Sequence, residues 1–228
     1  MSAMAENKRK GKIDDLFQRA QWEEARRILE RQRVEDPHDH WVLTQLGVTF
    51  YEQRRYEEAL QLFLESQQIV PDCPLTLWNL AGTLDALGNY ANALRVYTWL
   101  LLNQKSPDDD PCWESKEWAD ALKTDCVYRV GVCFHHLGEK RKAERWYRQY
   151  LDFLSNGIEG SYSIDDVKRQ MRDLHAGRKT STVGSEFRKA VNAILQASGI
   201  DLRTAGRRRL PALDLREIVP GHLAASKK

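Results

Sequence analysis

The feature that most constrains this chain is self-similarity at a fixed offset, because a repeat unit of this length cannot bury its own apolar face and must stack on copies of itself. Leu46-Gly47, Phe50, Arg54, Tyr56, Ala59 and Phe63 recur 34 residues later as Leu80-Ala81, Leu84, Gly88, Tyr90, Ala93 and Tyr97. Stepping back by the same 34 residues from Tyr56, Ala59, Phe63 and Pro71 reaches Trp22, Ala25, Leu29 and Pro37. A last unit, marked by Val130-Gly131, Phe134, Gly138, Ala143 and Tyr147, is displaced by 50 residues, which leaves an insertion of 16. Four units follow, at 6–39, 40–73, 74–107 and 124–157, the first degenerate in its opening half. Asp36-Pro37 and Pro71-Asp72 punctuate between units, and Gly88-Asn89 and Gly138 mark turns inside them. Apolar residues do not alternate at period two, so almost no strand is expected.

The pattern of Leu-Gly, an aromatic three residues on, then Ala, an aromatic and a closing Pro resembles the tetratricopeptide repeat family. That resemblance implies an all-α, right-handed α-solenoid of helix-turn-helix repeats. The small residues Gly47, Ala59, Ala93, Gly131 and Ala143 would stand where two backbones approach. Some positions depart from the pattern: Leu43, Leu77 and Val127 replace the usual early Trp, and Lys105 and Ser155 replace the closing Pro.

The resemblance also places a concave groove on the first helix of each unit, at its second, fifth, ninth, twelfth and thirteenth positions. From the second repeat these include Trp41, Thr44, Val48, Tyr51 and Glu52. Trp78 and Asp85 come from the third, and Tyr128, His135 and His136 from the last. Trp41, Tyr51, Trp78 and Tyr128 are expected to be exposed, as rigid aromatics in a groove make strong anchors. Family members that clamp a chain-terminal carboxylate carry Lys and Asn at the fifth and ninth positions, where this chain has Thr44, Val48, Trp78 and Gly82. An apolar or amphipathic segment is therefore the expected ligand.

Segment by segment, residues 1–11 read as a basic tail and 12–157 as the repeat array with an insertion at 108–123. In that insertion Asp110-Pro111 is a good helix start. Trp118, Leu122, Cys126, Val130 and Cys133 then continue at helical spacing, predicting one rod from about Pro111 to His136 whose extra turns project beyond the array. Residues 158–177 read as a capping helix, with Ser163 as its cap and Ile164, Val167, Met171 and Leu174 as its stripe. Residues 178–228 form an additional helical arm, Ser185 to Ser198, followed by a basic tail.

Charge divides the same way. Residues 1–175 hold 24 Lys and Arg against 29 Asp and Glu, a net −5, whereas 176–228 hold 11 against 4, a net +7. The basic arm can either fold onto the acidic body or meet an anionic partner, with Arg203, Arg207, Arg208 and Arg209 as its contacts. The expected role is a protein-binding adaptor, scaffold or assembly chaperone, with self-association through the arm as a further expectation. The alternative is a nucleic-acid-associated accessory subunit using the arm, disfavoured because the tail lacks aromatics for base stacking. No catalytic residue, cofactor or metal is assigned. There is no G-x-S-x-G or glycine-rich phosphate loop, Asp108-Asp109-Asp110 lacks the calcium-loop alternation, and no CxxC pair accompanies Cys133, His135 and His136. Four cysteines without an export signal, and no long apolar run, lead to an expectation of a reduced cytoplasmic setting without a membrane span.

Overall fold

The computed structural model describes residues 3–176 apart from Gln104, Ser106, Pro107 and Asp109, and side chains from Lys10 onward apart from that of Pro111. The described residues are mainly helical, with no strand among them, and divide into two units, the first ending at Pro71 and the second beginning at Asp72.

The first unit holds α1 (Ala3–Gln18), α2 (Trp22–Glu35), α3 (His40–Glu52) and α4 (Tyr56–Ile69), each packed on the next. Ile13, Leu16, Ala25, Leu29, Val42, Leu43, Leu46 and Leu62 form its core. Asp39 starts α3 by accepting the Val42 amide at 3.1 Å. Helix α1 begins at Ala3, so residues 3–11 belong to a helix and not to a tail. Their Lys, Arg, Ala and Glu are good helix formers.

The second unit holds α5 (Pro74–Ala86), α6 (Tyr90–Leu102), a short 3₁₀ turn (Pro111–Trp113), α7 (Lys116–His136), α8 (Lys140–Ser155) and α9 (Ile164–Ala176). Here α6 packs on α5 and α7, α8 on α7, and α9 on α8 and α7. Pro74 occupies the first turn of α5, where its missing N–H leaves no bond unmade. Ser163 starts α9 by accepting the Asp166 amide at 3.1 Å while its hydroxyl meets the Asp166 carboxylate at 2.7 Å. Val167 and Leu174 then lie buried in a cluster with Tyr147 and Tyr150, while Ile164 stays 47% exposed.

The repeat shows most clearly in the backbone. Ala20, Arg54, Gly88 and Gly138 all take positive φ, from 53 to 80°, at successive offsets of 34, 34 and 50 residues. Each closes the turn between the two helices of a repeat. Ala20 and Arg54 do so without glycine's freedom, at a cost of roughly 1–2 kcal/mol each. A Cβ on Gly47 would stand 2.5 Å from the Phe63 ring, and one on Gly131 2.8 Å from Tyr147, so both glycines mark helix contacts too close for a side chain.

The predicted rod is shorter than the spacing suggested. Helix α7 begins at Lys116, where the Ser115 hydroxyl accepts the Trp118 amide at 3.1 Å. Glu114 before it turns left-handed at φ 43°, which breaks helical continuity. Asp110 serves the 3₁₀ turn instead, accepting the Cys112 amide at 3.0 Å. The turn does not project outward: Trp113 is fully buried, and the turn packs against α5 and α7. Burial of one indole outweighs the few hydrogen bonds that continuing the helix would add. Residues 177–228, with the arm helix and Arg203, Arg207, Arg208 and Arg209, lie outside the described residues.

Candidate functional site

In the first unit, α3 carries the candidate positions on both sides of its surface. Trp41 is half-buried against the core with the Lys10 ammonium 5.6 Å from its ring centre. Val48 and Tyr51 are also half-buried, Tyr51 meeting Tyr56 edge-on at 5.4 Å, and Glu52 is exposed. Thr44 is different. Its hydroxyl reaches the His40 carbonyl and the Ser66 hydroxyl, both at 2.8 Å, so it locks α3 to α4 from inside.

Behind that face lies a residue the sequence pattern did not single out. Arg26 of α2 is buried, donates from Nε to the Thr49 hydroxyl at 3.2 Å, and bonds Gln53 and Glu23. Its guanidinium lies 4.0 Å from the centre of the Phe50 ring. A buried arginine needs this many acceptors, and they come from three different turns of chain.

In the second unit Trp78 of α5 is half-buried and rests edge-on against fully buried Tyr97 at 5.4 Å. Asp85, on the same helix, turns inward and pairs with Arg129 of α7 at 3.0 Å. Burial raises its carboxyl above the ordinary carboxylate value, and Arg129 opposes that shift. Tyr97 has its hydroxyl buried with no hydrogen-bond partner among the described residues, and burial pushes its ionisation well up.

Tyr128 is not exposed as its repeat position implied. The α8–α9 connection crosses over it, and Tyr162 stacks on its ring at 4.0 Å. That strap is pinned at two adjacent residues. The Tyr150 hydroxyl donates to the Tyr162 carbonyl at 2.8 Å and accepts its amide at 2.9 Å, while the Asp125 carboxylate takes the Ser161 amide at 2.8 Å and hydroxyl at 2.5 Å. A connecting loop has no periodicity, so no sequence signal announced Tyr162. His135 is likewise buried, with the Tyr147 hydroxyl at 3.4 Å from Nδ1. His136 stacks on Tyr90 at 4.0 Å, and burial lowers its pKa to about 4. Both imidazoles are therefore neutral near pH 7.

Thr44, Asp85, Tyr128 and His135 thus serve packing. Trp41, Val48, Tyr51 and Glu52 on α3, and Trp78 and His136 in the second unit, remain partly or fully accessible. Cys126 and Cys133 are buried in the α7 core, and burial pushes both thiols well up. No described helix is long and apolar enough to cross a membrane.

Stacked helix pairs with accessible aromatics on their first helices define a helical-repeat scaffold for protein–protein contacts. Residues 11–74 match the profile of the tetratricopeptide repeat. A solved structure described as "MamA RS-1 ArsTM double mutant" shares the fold at TM-score 0.57, with 15% identity over 86% of this chain and 97% of that one. No curated protein matches the sequence.

Proposed function

We propose that this protein is an adaptor or assembly chaperone that holds an apolar or amphipathic segment of another protein against the aromatic first helices of its repeats, without catalysing a reaction. The observation that carries this reading is Trp78: its ring keeps part of its surface open while its inner edge is fixed against fully buried Tyr97. A rigid, half-covered indole loses little side-chain entropy on binding and supplies a large apolar contact. Trp41 and Tyr51 offer the same combination on α3, each held by a neighbouring side chain. The Thr44, Val48, Trp78 and Gly82 positions supply no cations to clamp a terminal carboxylate, which favours an internal segment of the partner.

The test replaces Trp78 and Tyr51 with Ala in the full chain and measures partner capture from the native cell, with a photo-crosslinker at position 78 to map the bound segment. Loss of an anchor should cost roughly 2 kcal/mol or more, close to 30-fold in affinity. Undiminished capture by a double variant with unchanged helical circular dichroism would overturn the reading.

A further inference from the structure

Two cysteines from distant parts of the second unit meet where the insertion returns to the array. Cys73 stands at the N-terminal end of α5 and is 3% exposed. Cys112 lies in the 3₁₀ turn of the insertion, 39 residues later, and is half-buried. Their sulfurs lie within 4.8 Å of each other, and none of the four cysteines is disulfide-bonded. The Cys112 thiol is hydrogen-bonded to both Cys73 and the Asp110 carboxylate. Asp110 is held in place by the Cys112 amide at 3.0 Å and by Lys105, which bridges it at 3.0 Å to Asp72 at 2.6 Å.

We infer that Cys73, Cys112 and Asp110 form a binding site for a thiophilic divalent cation, zinc by the chemistry of the donors, that clips the insertion to the start of α5. Two thiolates on one tetrahedral zinc stand about 3.8 Å apart, given a metal–sulfur bond of about 2.3 Å, so one small side-chain adjustment joins these two. Asp110 supplies a third donor and water the fourth. Binding exchanges two thiol protons for one dication, both protons leaving to solvent. Two thiolates and the Asp110 carboxylate then face the dication, while the Lys105 ammonium is shared between Asp110 and Asp72. The end of α5 adds its helix dipole, which favours a thiolate at Cys73. No spacing motif reveals the site, since the two ligands are brought together only when buried Trp113 folds the insertion inward.

The experiment uses the untagged full chain, reduced and stripped of metal, titrated with Co²⁺ as a coloured stand-in for zinc. A thiolate-to-cobalt charge-transfer band should saturate at one equivalent, release two protons per ion, and vanish when Zn²⁺ is added. Cys112→Ser should abolish the band while the helical dichroism stays intact, and Cys73→Ser should do the same. Asp110→Asn should keep the band and weaken binding roughly 10-fold or more. Cys126→Ser should change nothing in the titration. Absence of the band in the wild type, or its survival in folded Cys112→Ser, would overturn the proposal. Should Cys73→Ser fail to fold, the half-buried Cys112 still decides the question.

Discussion

Changing Gly47 to Ala tests the repeat contact directly, because the same substitution at another helical glycine should act in the opposite sense. A Cβ at position 47 would lie 2.5 Å from Cε1 of Phe63 and 2.8 Å from two further ring atoms. The ring is fully buried, so it cannot swing aside as a flexible surface side chain would. Relief requires α3 and α4 to part by about 1 Å, which puts the cost at the upper end of the roughly 1–3 kcal/mol typical of overpacking. Ala gains back about 1 kcal/mol of helix propensity over Gly, leaving a net loss of about 2 kcal/mol. In α1, a Cβ on Gly11 meets nothing within 4 Å, so Gly11→Ala should instead gain about 1 kcal/mol. Thermal unfolding followed by circular dichroism should show Tm falling by about 4–8 °C in the first variant and rising by about 2–4 °C in the second. In a Phe63→Leu background, where the ring is gone, Gly47→Ala should lose most of its penalty. An unchanged or raised Tm for Gly47→Ala, or no coupling to Phe63, would refute the contact and the register with it.

Acidification should weaken the second unit through His136. Its folded pKa of about 4 lies below the ordinary 6.5, so the unfolded chain takes the proton first. Stability is then full above about pH 6.5 and falls as the pH drops toward 4, with His135 shifted the same way by burial. Since His136 is partly open, the loss between pH 7 and 5 is on the order of 1 kcal/mol, and His136→Phe, which preserves the stack on Tyr90, should flatten it in denaturation curves taken across that range. Tyr162→Ala should uncover Tyr128 and cost about 1–2 kcal/mol in urea denaturation, from one lost ring stack and the buried area it covers. Unchanged stability would show that the strap does not hold the end of α7.

Much of this architecture was legible in the chain because it depends on local chemistry repeated at intervals. Leu, Gly, Ala and aromatic residues at one offset specify which helix faces touch, since only small residues allow close backbones and only large ones fill the gaps beside them. The helix start at Ser163 follows equally from residue type, because its hydroxyl satisfies a backbone donor three positions on. The left-handed turn residues are half legible: Gly88 and Gly138 announce themselves, whereas Ala20 and Arg54 hold the same conformation only because the helices on either side impose it.

What the sequence could not decide concerns segments that break the repeat, where contact depends on distance through space. The 16-residue insertion kept a helical spacing across Pro111 to His136, yet the apolar gain from burying Trp113 bent it into a separate turn and brought Cys112 to Cys73. Tyr128 occupies a position that faces a partner in an uninterrupted array, but the loop after α8 closed over it with Tyr162 and Ser161. Asp85 and Thr44 were assigned outward by position and turned inward by a neighbouring Arg129 and Ser66. Periodicity fixes which face of a helix is apolar; only the folded chain determines what arrives to cover it.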